Sequence, residues 1–395
     1  MKLYNVKCES GARAVILDDM ILTKDMPTTA GSKMLDGYMS LFDAEAVTRL
    51  TSAGYSIAGK AAVGEFGFDL LGESSFEGAL TKDGKIINAA AEIVCSGEAV
   101  AAVTLDVNGS ARRAAAQSGL VAIKPTYGTV SRFGTIPAAC SGECVSVSAK
   151  CAADCREVLC AISGHDDKDG TSLSEEKCKS ALASGEVKKV ALVKELYELA
   201  DSDVKAKIDA AKAKLADAGA LVEEISVSVL TSARAAWNIL MTAELCNNVS
   251  RYDGVKYGYR AENFVGLDEL YTKSRTEAFG KLLKTAIIYG SETLSTENYM
   301  KVYDKALRTR RVIVDELNKI FGKFDAIIMP ACSKMTYAAD EIKLDECFVE
   351  NIFTAVASIS GMPACVSGGA MLVGAAFSDG KLLSAAEIIE KEGAL

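Results

Sequence analysis

Among 395 residues there is a single histidine, His165, only five prolines, and no pair of cysteines spaced C-x-x-C. Those absences argue against a zinc centre. Cys140, Cys144, Cys151, Cys155 and Cys160 lie close together but match no zinc-ligand spacing, and Cys151 and Cys155 have the i, i+4 spacing of one buried helix face. Neither a metal nor a cofactor is expected. No run of about 18 apolar residues occurs, so nothing is expected to span a bilayer. The opening MKLYNVKCESGARAVILDDM lacks the apolar core of a secretion signal. A cytoplasmic chain with reduced, mostly buried cysteines is the expectation. Positive charge is also short: 44 Lys and Arg stand against 53 Asp and Glu, a net charge of −9. That excludes a broad electrostatic grip on nucleic acid, so any RNA contact would belong to a partner. Low-complexity linkers and internal repeats are missing as well.

What is present is the alternation of short apolar runs with longer helical patterns that marks α/β proteins. Strands are predicted at 12–17, 56–59, 103–107, 120–125, 189–193, 221–227, 325–330 and 363–368. Helices are predicted over 43–53, 90–102, 151–163, 202–217, 232–249, 269–284, 297–321 and 382–391. Val204, Ile208, Ala211 and Leu215 recur at helical spacing between two strand-like runs, which predicts a βαβ crossover. The polar stretch SGHDDKDGTSLSEEK (163–177) is the best candidate seam, read as a long surface loop. His165 falls within it and reads as a solvated or capping residue.

The stretch LDVNGSARR (105–113) poses the chemical question. On residue types alone, Asn108-Gly109 is a turn dipeptide and Ser110 a cap for the next helix. The order of features around it points elsewhere. The D-x-N-G-S sequence, then Arg112, then SGLVAIKPTYGTVSRFG (118–134), resembles the signature region of the amidase signature hydrolases. Downstream, AISGHDDKDGTS, CNNVSRYDGVKYGYR, YMKVYDKALRTRRVIVDEL, FDAIIMPACS and ISGMPACVSG follow in that family's order. The R-Y-D-G-V-K-Y-G segment is closest to the branch containing the glutaminase (A) subunits of the glutamyl-tRNA(Gln)/aspartyl-tRNA(Asn) amidotransferases.

The resemblance implies an α/β fold in which helices cover both faces of a mixed sheet, as one domain over 1–395 without the family's N-terminal helical segment. It also implies a mechanism. A serine attacks an amide carbonyl, a second serine preceded by a cis peptide relays its proton to a buried lysine, and backbone N–H groups hold the oxyanion. Ser110 takes the nucleophile position and Val107, Asn108 and Gly109 the oxyanion turn, with Asp106 and Arg112 also matching. The lysine position falls on Leu17, which accepts no proton. The cis-serine position falls on Ile86 in GKIINAA (84–90); a gapped alternative would use Cys95-Ser96-Gly97. Of the two residues that hold glutamine's α-carboxylate and α-amino groups, the Arg falls on Arg310, where a solvated basic helix face is an equal reading, and the Asp on Asn351. Lys24 and the Asp18-Asp19 pair offer no evident replacement base. The expectation is therefore an A-subunit-like protein with lost or impaired glutaminase chemistry. It would act as a structural or regulatory subunit with B- and C-like partners, glutamine or a small amide being the inherited ligand. The alternative is an active amidase or amidotransferase subunit using Ser110 with a non-standard base.

Overall fold

The structure is a computed structural model that describes residues 2–9 and 11–391. The β-branched and apolar runs form β1 (Tyr4–Lys7), β2 (Ala14–Asp18), β3 (Ser56–Ala61), β4 (Thr81–Lys82), β5 (Lys85–Ile86), β6 (Ala101–Asp106) and β7 (Val121–Lys124). The second half adds β8 (Cys144–Ala149), β9 (Lys189–Val193), β10 (Leu221–Ile225), β11 (Ala326–Pro330), β12 (Ala364–Ser367) and β13 (Ala370–Gly374). Eleven of them join one mixed sheet in the order β1-β3-β2-β6-β8-β7-β12-β13-β11-β9-β10, while β4 and β5 pair as a separate hairpin. The central strands β2, β6, β7, β8, β11, β12 and β13 are buried along their whole length. That is what helices on both faces require. Ala89–Ser96 and Ser110–Ser118 pack on one face, over β2, β6 and β8, and Ala152–Ile162 and Asp379–Glu390 cover the other.

The predicted crossover is present. β9 and β10 run parallel from Leu221↔Lys189 to Ile225↔Val193, joined by the helix Ser202–Asp217 that buries Val204, Ile208, Ala211 and Leu215. Three helices differ from expectation. The one predicted over 90–102 stops at Ser96, because Gly97 turns left-handed (φ 83°) and the chain re-enters the sheet as β6. The pattern at 269–284 divides into Gly266–Ala278 and Lys281–Thr293, and that at 297–321 opens with a π-helical turn, Tyr299–Tyr303. Strands β1, β4, β5, β8 and β13 and the helices Glu175–Leu182, Lys194–Glu198, Glu346–Glu350 and Ala355–Ser360 were not expected, and the helix after the Asn108-Gly109 turn runs over Ser110–Ser118. The 163–177 stretch is tied to the chain before it: Asp166 accepts from Ser131 (2.6 Å) and Asp169 from the Arg132 N–H (2.8 Å), and the sheet draws strands from both sides of it. Of the clustered cysteines, Cys155 is buried with its thiol on the Val121 carbonyl, Cys151 precedes the helix half-exposed, and Cys160 is exposed. Among the described residues no helix is long and apolar enough to cross a membrane.

Candidate active site

β6 ends at Asp106, and the turn 107–109 leads into the helix that Ser110 begins. Buried charge holds this turn. The fully buried Arg112 donates to both carboxylate oxygens of Asp106 (2.8 and 3.1 Å), to the Thr354 carbonyl (2.9 Å) and to the Ser358 hydroxyl (2.8 Å). Burial alone would raise the Asp106 carboxyl, but the Arg112 charge and hydrogen bonds hold it below its ordinary value. Asp106 also accepts from the Gly109 N–H at 2.9 Å. Gly109 sits at φ 87°, and a Cβ there would lie 2.3 Å from Thr354 Cβ, so the turn admits only glycine. Gly109, not Asn108, takes the left-handed conformation. Ser110 is the first helical residue and caps nothing, and its half-buried hydroxyl has no hydrogen-bond partner among the described residues. The turn-and-cap reading therefore fails at Ser110.

Ser110 opens on a cavity of about 20 Å³ between this face of the sheet and the two Ala-rich helices. Its walls carry Asp18, Asn88, Thr104 and Ser148, with Ala62, Val63, Ala90, Ala91, Ala102, Ala111 and Ala114. The volume suits a single water and not an amino-acid amide. Side chains alternate along β2, and the register sets Leu17 beside Val103 and Ile16 beside Ala102. Leu17 therefore faces the opposite side of the sheet, and the β2 residue on the cavity wall is Asp18. Its carboxylate accepts from the N–H groups of Leu105 (2.7 Å) and Met20 (3.0 Å), and burial pushes it up to about 7. The Thr104 hydroxyl is buried without a partner.

Two buried lysines that sequence reasoning passed over lie outside this wall. Lys60, paired with Leu17 across β2 and β3, donates to Thr28 and sits 4.0 Å from Asp19, with burial pulling it down to about 8. Lys124 donates to the Pro125 carbonyl at 3.3 Å. Nothing in the residue types would have flagged them, since a strand lysine is usually solvated. Ile86 lies in the β4–β5 hairpin, its N–H on the Tyr337 carbonyl, and lines a separate cavity of about 180 Å³ that shares only Asn88 and Ala114 with the first. No cis peptide occurs among the described residues.

The two expected glutamine-binding residues make different contacts. Asn351 is fully buried and donates to Asn108 (3.1 Å) and Asn238 (2.6 Å), while its own Oδ1 has no partner. Arg310 is half-buried and reaches the Ser141 carbonyl at 3.4 Å. The indole of Trp237 shares the Asn108 oxygen with Asn351. Its N–H donates to Asn108 Oδ1 (3.1 Å), and its far edge lies against Gly142, where a Cβ would come within 2.2 Å of the ring. Gly142→Ala should therefore displace Trp237 and cost about 1–3 kcal/mol as an overpacked core. A red shift of the fluorescence of this sole tryptophan, with a lower urea midpoint, would register it; an unchanged spectrum and midpoint would show that the ring does not depend on Gly142.

Fold and motif order converge on one class. The amidase family profile matches residues 14–82 and 89–381, and the chain belongs to the amidase family; the gap between the two matched segments, 83–88, contains Ile86. Within it, the chain is similar to the A subunit of the glutamyl-tRNA(Gln) amidotransferase of Maridesulfovibrio salexigens, 34% identical over 95% of this chain and 83% of that one. The corresponding A subunit of Acinetobacter baumannii is 35% identical over 93% of this chain and 79% of its own length. Among solved structures, the glutamyl-tRNA(Gln) amidotransferase A subunit of Thermotoga maritima superposes with a TM-score of 0.79 at 28% identity, covering 96% of this chain and 83% of that one.

Proposed function

We propose that this chain is an A-subunit-like protein without glutaminase chemistry that serves as a structural or regulatory subunit beside B- and C-like amidotransferase partners. The observation that carries the reading is the wall of the Ser110 cavity. A hydroxyl is inert as a nucleophile unless a neighbour takes its proton, and the wall offers a carboxyl where the family's mechanism uses a lysine. Loss of a member of a catalytic set costs on the order of 10⁴–10⁶ in kcat in serine hydrolases. The small room left at Ser110 and the amide of Asn351, which carries no charge to pair with an ammonium group, support the same reading. Purified chain should release no ammonia from glutamine above the rate of Ser110→Ala, and purification from its native cell should co-elute a B- or C-like subunit. Glutamine-dependent ammonia release that Ser110→Ala abolishes would sink the proposal.

One observation favours a second reading, an amidase in which Asp18 is the base. A carboxyl raised to about 7 in the same cavity as the serine has a proton affinity suited to general-base work at neutral pH. Under that reading a fluorophosphonate labels Ser110 with a rate that rises through pH 7, and Asp18→Asn removes the rise. Under the first reading Ser110 stays unlabelled across pH 6–9.

A further inference from the structure

The side chain of Asn108 lies in a setting that satisfies every hydrogen-bonding capacity of a primary amide. Its Oδ1 accepts from Trp237 Nε1 and from Asn351 Nδ2, both at 3.1 Å. Its Nδ2 donates to the carbonyls of Phe68 (2.8 Å) and Cys347 (3.5 Å). Two donors facing a carbonyl and two acceptors facing an NH₂ are the complement of R-CO-NH₂ and of little else. An ester lacks the N–H groups, an N,N-dialkyl amide cannot bond either backbone carbonyl, and a carboxylate would set its charge against them. Asn108, Asn351 and Trp237 are all buried, so the hydrogen bonds form out of contact with water.

We propose that Trp237, Asn351 and the carbonyls of Phe68 and Cys347 form a primary-carboxamide site that Asn108 keeps filled from within the chain. The native protein is closed there to free amides, and removing the Asn108 side chain turns the same groups into a receptor for one. None of its groups lines the serine's cavity, and amide binding there can be read whether or not Ser110 reacts. Deleting Asn108 beyond its backbone leaves the Trp237 N–H and the Phe68 carbonyl without partners and takes one bond each from Asn351 Nδ2, which keeps Asn238, and from the Cys347 carbonyl, which keeps the Asn351 N–H; these groups favour whatever small molecule restores all four bonds.

Trp237 is the sole tryptophan, so its indole N–H gives one resonance and reports on the site directly. In ¹⁵N-labelled Asn108→Gly of the full chain, that resonance should shift and exchange faster with water. Acetamide, which matches the deleted side chain, should return it toward its native position along a saturating curve. N,N-dimethylacetamide should bind at least about tenfold more weakly, having lost both donors. Native protein should not respond to acetamide. If native protein and variant respond alike, or the variant does not distinguish the two amides, the proposal is overturned. Should Asn108→Gly fail to fold, Asn108→Ala with formamide tests the same vacancy, and failure of both to fold even in amide also overturns it. Glutamine hydrolysis by native protein would defeat the proposed function while leaving this result untouched.

Discussion

Arg112→Ala is expected to lower the stability of the chain by about 3–5 kcal/mol, the loss that follows when one partner of a fully buried ion pair is removed. The structure gives the reason. Arg112 is the donor that keeps the Asp106 carboxylate ionised out of water, and it also ties the turn to Thr354 and Ser358, two residues of the C-terminal segment more than 240 positions away. Removing it strands a buried charge and opens two long-range hydrogen bonds together. The midpoint of urea unfolding measures the effect. Asp106→Ala combined with Arg112→Ala should cost less than the sum of the single losses, because the stranded charge is then absent. Additive losses would show that the pair is not coupled.

The second large effect is a pH dependence opposite to that of most proteins. Burial pushes Asp18, Glu65 and Asp69 up to about 7 and Asp19 up to about 6, all above the ordinary carboxyl range. A carboxyl whose folded pKa is raised makes the folded state bind more protons than the unfolded one between the two pKa values. The stability it confers is fully present below about pH 4 and is lost as pH rises through 6 to 7. Asp106, held low, works in the other direction and matters only below about pH 4. The melting temperature should therefore fall as pH is raised from 5 to 8. Each carboxyl contributes at most about 1.4 kcal/mol per pH unit while it titrates. The charges of Asp19 and the buried Lys60 act on Asp18 in opposite directions, and Asp18→Asn should flatten its share of the slope. A melting temperature that is level or rising over this interval would mean that these carboxyls stay ionised when folded.

Much of the fold was legible because it rests on local pattern. The period of Val204, Ile208, Ala211 and Leu215 is a property of a helix with one buried face, and the eight predicted strand runs all appear. The strands that were missed show what local pattern lacks. β8 (CVSVSA) alternates cysteine and serine with valine and is buried throughout, so nothing in its composition separates it from a loop. At Ser110 local pattern gave a turn and a cap for the next helix, whereas Gly109 takes the cap position and Ser110 is the first helical residue.

By itself the sequence determined the fold class and the family and drew attention to Ser110, because these depend on residue order and on short periodic patterns. Tertiary structure decided what surrounds that serine. Whether Leu17 or Asp18 faces it is a matter of strand parity, which a one-residue difference inverts and which only the pairing of β2 with β6 sets. Whether Asn108 is a tolerated turn residue or the occupant of a carboxamide site depends on Trp237 and Asn351, 129 and 243 residues further along the chain. No local pattern encodes which groups meet across such distances; the packing of the core does.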